Sequence, residues 1–499
     1  MARRELRRGP TVVAVEPQVF DLLAHLIRHR DHVVSKDDLF KTIWQGRAVS
    51  DSALFNRINA ARRAVGDSGE QQRLIRTLPR KGLRFVGEVH EEVHEGAIAG
   101  PPPLSDRPSI AVLPFANGSG DPGEEYFADG ISEDLVTSLA RIRWLFVIAR
   151  NSTFAYKHRT VDLKQVSREL GVRYVLEGRV RRAGGQLRIT AQLVDTLTGG
   201  HHWAEHYDRQ LGDMFAVQDE ITRSVAAAIE PRLLAVEGVR ALARSPDHLG
   251  AWDLVAQAQT HFWRLTRTDC DAAVKVLRQA LASHPDYAPA HGRFGFCLAF
   301  AAHMGWIPAE QAMQESGAHA RRAIALDDCD PWGHIALAYW AMMERRTEDS
   351  IAAFAQAVKL NPSSAAAHSH LSRGLAFAGR DREAIEHGEE AIRLSPLDPE
   401  MALFLGAIAV AHYTAGRYDE AARYTAEALR LRQGFQGAQR LHCASLAKAG
   451  RLDDARRFLT TVRRDQSDLS LAWVRANVPY QTRELMERFL DGLRLAGLR

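Results

Sequence analysis

Three short segments, Gly379-Arg-Asp-Arg-Glu-Ala-Ile, Gly416-Arg-Tyr-Asp-Glu-Ala-Ala and Gly450-Arg-Leu-Asp-Asp-Ala-Arg, are near copies spaced 37 and then 34 residues apart. Ala357 and Ala391 stand 34 apart, each followed by a leucine and then by a proline, Pro362 and Pro396, at the same interval. An interval of this length is one helical hairpin. A small alanine lets two helices approach closely, the proline stops the second helix, and the Gly-Arg turn joins the pair. Such a hairpin cannot bury its apolar face alone, so it must stack on its neighbours. Counting back through Ala280 before Pro285 and Ala323 before Pro331 gives six pairs over about residues 250–468, with an insertion near 306–310 and a last helix over 482–495 as a cap. The carboxyl half is committed to an all-α solenoid.

The pattern resembles the tetratricopeptide repeat, whose period is ~34 residues, and the resemblance implies that these helices bind a protein or peptide partner. What precedes them divides at a stretch over residues 88–108, EVHEEVHEGAIAGPPPLSDRP, whose acids and three consecutive prolines give no apolar period and suit a semi-rigid spacer. The expected parts are residues 1–88, a linker over 89–107, a mixed domain over 108–236, and the solenoid over 250–499. With 46% hydrophobic and 25% charged residues, the chain has the balance of a soluble globular protein, which excludes a disordered or fibrous one. Four scattered cysteines, Cys270, Cys297, Cys329 and Cys443, make no disulfide framework and suit a reducing compartment. The most apolar runs, 294–302 and 402–411, fall well short of the ~20 residues that span a bilayer, and no apolar leader follows the basic start. A cytoplasmic protein without a membrane partner is expected.

Charge singles out the first part. Residues 1–88 hold 17 Lys and Arg against 10 Asp and Glu, a surplus of +7, whereas the whole chain carries +4 and the remainder therefore −3. Residues 11–15 alternate as a short strand, and Phe20, Leu23, Leu26 and Ile27 recur at helical spacing. Ser35 with Asp38 forms a capping box for a second helix that turns Leu39, Ile43 and Trp44 to one side. A third helix, entered through Ser50–Ser52, lines up Leu54, Ile58, Ala61 and Val65, and two strands over 74–78 and 83–86 then flank a basic turn. With the apolar stripe inward, Phe55, Asn56, Arg57, Asn59, Arg62 and Arg63 face outward. Arg and Asn are the side chains that pair bidentately with guanine and adenine in a major groove. Arg80, Lys81 and Arg84 on the turn suit phosphates or a minor groove. This arrangement predicts a winged helix that binds double-stranded DNA, against the plainer reading of a solvated charged helix in a small domain.

The runs Glu16-Pro-Gln-Val-Phe-Asp-Leu-Leu, Val33-Val-Ser-Lys-Asp-Asp-Leu, Ile43-Trp44, Asn56-Arg-Ile-Asn-Ala-Ala-Arg-Arg and Gly82-Leu-Arg-Phe85 resemble the winged helix-turn-helix of the OmpR/PhoB type, nearest the form at the front of one-component regulators of the CadC/ToxR group. The resemblance places Arg57, Asn59 and Arg62 at recognition-helix contacts, and Thr77, Pro79 and Arg80 on the wing. Two departures stand out. Leu83 replaces the family's tyrosine, and only fifteen residues precede Glu16, so either at least one strand of the family's four-stranded front sheet is absent or the true start lies upstream of Met1. Neither a receiver domain before the winged helix nor an apolar span after it is expected.

Between linker and solenoid, the order strand, helix, strand, helix, three strands, helix predicts a mixed α/β domain. Its runs Ile110-Ala-Val-Leu-Pro-Phe115, Phe127-Ala-Asp-Gly-Ile-Ser-Glu-Asp-Leu135 and Val175-Leu-Glu-Gly-Arg-Val180 are similar to the TolB amino-terminal/FlgO-like module. Gly118, Gly120 and Gly123 match a phosphate-cradling G-x-G-x-x-G, but Asp121, Glu124 and Glu125 would crowd the helix end with negative charge. His201, His202 and His206 lack a partner at metal-ligand spacing. No P-loop, H-E-x-x-H or G-x-S-x-G motif occurs. No enzyme, cofactor or metal is expected. The function expected is a one-component DNA-binding transcription regulator whose repeats sense or bind a partner, as a possible homodimer. The alternatives are a protein-interaction scaffold with a winged helix that does not bind DNA, and a nucleotide sensor using the loop over 118–123.

Overall fold

The structure, a computed structural model, describes residues 6–8, 11–13, 17–36, 38–39, 51–79, 81–87, 89, 107–119, 121, 124–159, 162–183, 185–210, 214–244 and 249–499. It falls into two compact units, residues 1–98 and 99–499.

In the first unit, β1 (Leu6–Arg8) and β2 (Thr11–Val13) pair antiparallel ahead of α1 (Pro17–Arg28). Among the described residues, two strands thus stand where the family has a four-stranded sheet. Ser35 opens the next helix as its spacing predicts. Its hydroxyl accepts from the Asp38 amide at 3.1 Å, and the Asp38 carboxylate accepts from the Ser35 amide and hydroxyl at 3.3 and 2.7 Å. Leu39 in that helix is buried, whereas Ile43 and Trp44 lie outside the described residues. α2 (Asp51–Val65) and a hairpin of β3 (Ile75–Leu78) and β4 (Gly82–Phe85) follow. Leu22, Leu23 and Leu26 of α1, Leu54, Ile58 and Ala61 of α2, and Ile75, Leu83 and Phe85 of the hairpin close one core. Leu83, in place of the family's tyrosine, therefore packs inward rather than facing a ligand. Val34 and Leu83 exchange both backbone hydrogen bonds, at 2.8 and 2.9 Å. Gly82 can enter this contact at φ +134° because it has no Cβ, which would lie 2.0 Å from the Val34 carbonyl oxygen.

The second unit begins with a six-stranded sheet. β5 (Ser109–Val112) lies parallel to both β7 (Phe146–Val147) and β8 (Tyr174–Ala183), and β8, β9 (Gln186–Asp195) and β10 (His201–Gln210) follow antiparallel. β6 (Ala116–Asn117) pairs with β8. Alternation along β9 sends Leu187, Ile189, Ala191 and Leu193 inward, toward α3 (Glu125–Leu139) and α6 (Met214–Leu242). α4 (Arg150–Phe154) and α5 (Leu163–Leu170) accompany a smaller core of Ala111, Leu113, Tyr156, Val166, Val172 and Val175. The predicted order recurs with two additions, β6 and α4, and the last helix, expected over 214–229, runs 29 residues. It continues through Pro231 because Leu233, Leu234, Glu237 and Gly238 are buried. At Gly238 a Cβ would lie 2.0 Å from the Thr260 hydroxyl, so only glycine permits this approach to the first repeat helix. Trp144 stacks on Trp252 at 4.4 Å between ring centroids, and the sheet and the repeats share one hydrophobic core.

The repeats are tetratricopeptide-like helical pairs, and the described residues hold six. They are α7 (Ala251–Phe262) with α8 (Arg267–Ser283), α9 (Ala288–Met304) with α10 (Ala309–Leu326), α11 (Pro331–Met343) with α12 (Thr347–Leu360), α13 (Ala365–Ala378) with α14 (Asp381–Leu394), α15 (Met401–Thr414) with α16 (Tyr418–Leu431), and α17 (Gln436–Lys448) with α18 (Leu452–Asp465). Gly379, Gly416 and Gly450 adopt the left-handed conformation in the turns, at φ +77° to +80°. The expected insertion near 306–310 takes the form of longer helices, 17 residues in α9 and 18 in α10. α19 (Leu471–Asn477) and α20 (Arg483–Leu495) end the chain, the latter capped by the Thr482 hydroxyl, which accepts from the Leu485 amide. Among the described residues no helix is long and apolar enough to cross a membrane.

Candidate nucleic-acid interface

The outward side of α2 and the β3–β4 hairpin are held to each other by two buried charged groups. Gly66 ends α2 in the left-handed conformation at φ +73°. Asp67 then turns its carboxylate inward, 5% exposed, where it accepts from the amides of Ser68, Arg73, Leu74 and Ile75 at 2.8–2.9 Å. Burial alone would push this carboxyl up, but the four amides hold it at about 2, against an ordinary 3.8. Arg62, 4% exposed, is the second tie. Its Nη2 donates to the Ile75 carbonyl at 3.0 Å and to the Thr77 hydroxyl at 2.8 Å.

This corrects the placement of Arg62 on the outward face. Four residues after Ile58, it lies one helical turn along the same inward stripe, and its guanidinium is spent on the hairpin. Thr77 is likewise built into the frame, its hydroxyl engaged by Arg62 and its amide donating to Gln72 Oε1 at 2.8 Å. Phe55 is 61% exposed, Arg63 is exposed, and Arg57 and Asn59 are half-buried. Asn56 lies on α2, its side chain outside the described residues, and Arg80 lies outside them altogether. Lys81 is exposed at the tip. Arg84 is exposed, with its Nε donating to the Arg30 carbonyl at 3.0 Å, beyond the end of α1.

Sequence reasoning missed Arg76. In the hairpin register Arg76 is directly opposite Arg84, both outward and exposed, while Ile75, Leu83 and Phe85 point into the core. Two like charges facing each other across strands repel, an arrangement that a phosphate lying across them would relieve. The period-two alternation from Ile75 was the signal that could have found it.

The second unit gives the nucleotide alternative little support. The Gly118 amide donates to the Val180 carbonyl, and Ser119 accepts from the Arg182 amide at 2.8 Å, so the described part of the loop is tied down to β8. Glu124, before the first turn of α3, pairs with Arg182 at 2.8 Å, and Glu125 follows it. A cleft of about 760 Å³ opens beside the loop, but Lys157 within it is already held by Glu125 at 3.0 Å and Asp129 at 2.6 Å. His202 lies 3.6 Å from Asp195 and edge-on to Tyr174. Gly120, Pro122 and Gly123 fall outside the described residues.

Residues 10–85 match the family model described as transcriptional regulatory protein, C terminal. Residues 105–223 match the one described as HilA/YgeH-like transcriptional regulator, second domain. The chain is 45% identical over 252 residues to a protein of Rhizobium meliloti (strain 1021) named "Putative adenylate cyclase 3", a match covering 50% of this chain and 43% of that one. It is 22% identical over 399 residues to the transcriptional regulator HilA of Salmonella typhimurium (strain LT2), covering 78% of this chain and 68% of that one. Among solved structures, a thermophilic TPR protein of Thermus thermophilus is 18% identical and covers 36% of this chain and 91% of its own, with a TM-score of 0.30. The chain thus spans less than half the length of the first of these relatives.

Proposed function

We propose that the chain is a DNA-binding transcription regulator. α2 enters the major groove, the hairpin's cations hold the flanking phosphates, and the repeats receive a protein or peptide partner. The observation that carries this reading is the basic face made by Arg57, Arg63, Arg76, Lys81 and Arg84, on a frame fixed by Arg62 and Asp67, within residues matching a transcriptional-regulator family. A second copy would read the second half-site that a single winged helix leaves unread, and in this reading the protein acts in the cytoplasm. Mobility-shift titration of the full chain tests the reading. With Arg63 and the three hairpin cations, about four in all, facing phosphates, log affinity should fall against log salt with a slope of about −3 to −4. No shift, or one insensitive to salt, would sink it.

The two arginines of α2 should then behave differently. Arg57→Ala is expected to lower the ratio of operator to random-DNA affinity by ~1–3 kcal/mol. Arg62→Met should weaken all sequences alike, because it loosens the hairpin rather than touching a base. Equal losses of the ratio in both would refute the inward assignment of Arg62.

The relative named for adenylate cyclase motivates a second reading. The shared 252 residues leave more than half of that protein unmatched, and no cyclase activity is assigned to this chain. Incubation with ATP and Mg²⁺ or Mn²⁺ is expected to yield no cyclic AMP. Product formation that survives further purification would overturn this.

A further inference from the structure

Two guanidinium groups in the solenoid are buried with no carboxylate in ion-pair contact, Glu400 acting on Arg373 and Asp468 on Arg440 only from farther off. Arg373 of α13 and Arg440 of α17, 3% and 2% exposed, line one cavity of about 40 Å³ with His303, Gly406, Phe435 and Tyr480. A guanidinium this deep is ordinarily matched by a carboxylate, because an isolated cation is expensive to remove from water. Among the described residues neither has an ion-pair partner. Arg373 donates from Nη2 to the Leu403 carbonyl at 3.0 Å, and its Nε is buried with no acceptor. Arg440 donates to Gln466 Oε1 at 2.9 Å, faces the Met304 sulfur at 3.8 Å, and lies 4.8 Å from the centre of the Trp473 ring. His303, with Nδ1 2.7 Å from the Tyr339 hydroxyl, does not supply the missing charge. Burial and both guanidiniums keep its imidazole neutral, far below its usual range.

Space for a counter-ion is built into the repeat. α15 lies between α13 and α17 in the stack, and it presents Gly406 where α17 presents Arg440, each ten residues before its turn glycine, Gly416 or Gly450. Without a side chain of its own, Gly406 lets the Phe435 ring approach, 3.1 Å from where a Cβ would lie, and the cavity is the part of that room the ring does not fill. Tyr480 closes the cavity from the carboxyl-terminal segment, held there by the Gln481 amide donating to the Phe377 carbonyl at 3.1 Å. A cavity of this size takes a few waters or one small oxyanion, and a planar guanidinium is suited to the two oxygens of a carboxylate or phosphate.

We infer that this cavity is a binding site for a small oxyanion, a carboxylate or a phosphate, held by Arg373 and Arg440 and bridging the fourth and sixth helical pairs under the carboxyl-terminal segment. The site is independent of DNA binding, and its test uses none. Thermal unfolding of the full chain is followed at fixed pH and ionic strength while chloride is replaced by phosphate, acetate or butyrate. A saturable rise in Tm is expected with at least one of them. A response to phosphate alone assigns the site to phosphates, and one to acetate or butyrate alone assigns it to carboxylates. Arg373→Met and Arg440→Met should each raise the half-saturating concentration about tenfold or more, the loss of one charge-assisted bond. Without added oxyanion each variant should melt at or above the wild-type temperature, because it removes a buried charge that has no carboxylate in contact. Three results would overturn the inference. They are no saturable rise in the wild type, an undiminished rise in both variants, or a lower oxyanion-free Tm in both, which would make the guanidiniums structural.

Discussion

Asp67→Ala is expected to destabilise the first unit by about 3 kcal/mol. The alanine leaves four amides, those of Ser68, Arg73, Leu74 and Ile75, without the carboxylate that now accepts from all of them. An unmade bond to a buried donor costs about 1–3 kcal/mol, reduced where water can enter, and Ser68 and Leu74 are only half-buried. In hydrogen exchange on the full chain, protection in residues 17–87 should fall about a hundredfold, at about 1.4 kcal/mol per decade, while the second unit is unchanged. The same carboxylate gives an acid-side signature. Its pKa is held at about 2 in the fold against 3.8 ordinarily, so its contribution, on the order of 2 kcal/mol, is fully present above about pH 4 and lost as pH falls toward 2. Asp67→Asn should abolish that acid dependence. Acid dependence persisting in Asp67→Asn would mean that other groups carry it. Because Asp67 anchors the hairpin to α2, affinity for any DNA sequence should fall in Asp67→Ala along with stability.

The elements were legible where a period or a cap spelled them out. The copies at Gly379, Gly416 and Gly450 exposed the pairs, Ser35 and Thr482 marked helix starts, and the Gly-Gly pairs at 184–185 and 199–200 separated the runs that form β8 to β10. What escaped depends on neighbours that lie far apart in sequence. Pro231 reads as a helix stop, yet the burial that follows it carries α6 on. α19 has seven residues, too few for a helical period to appear. Arg62 was read by its charge, although its place one turn beyond Ile58 put it on the inward stripe. Arg373 and Arg440 were hidden for the opposite reason. They fall among small and apolar residues in helices whose inward positions are not expected to carry charge.

Glu400→Gln is expected to stabilise the second unit above neutral pH and to flatten its pH dependence. Glu400, 5% exposed, accepts from Gln259 Nε2 at 2.8 Å and from Trp263 Nε1 at 3.2 Å. Burial, with the negative charge of half-buried Asp398 beside it, pushes its carboxyl up to about 7 against the pull of Arg293. The unfolded chain, with an ordinary carboxyl near 4.5, releases this proton at lower pH than the folded one does. The folded form therefore holds an extra proton between about pH 4.5 and 7, and stability falls as pH rises across that window. The total is on the order of 3 kcal/mol at full ionisation. Glutamine keeps the shape and an acceptor oxygen for the same two donors, but it has no charge to desolvate. Urea melts at pH 5, 6.5 and 8 should show wild type and Glu400→Gln close together at pH 5 and the variant more stable by a few kcal/mol at pH 8. An unchanged slope in the variant would remove Glu400 as its source. These two carboxyls therefore act oppositely in acid: toward pH 4.5 the contribution of Glu400 stabilises the second unit while that of Asp67 to the first is intact, and the latter fades only below about pH 4.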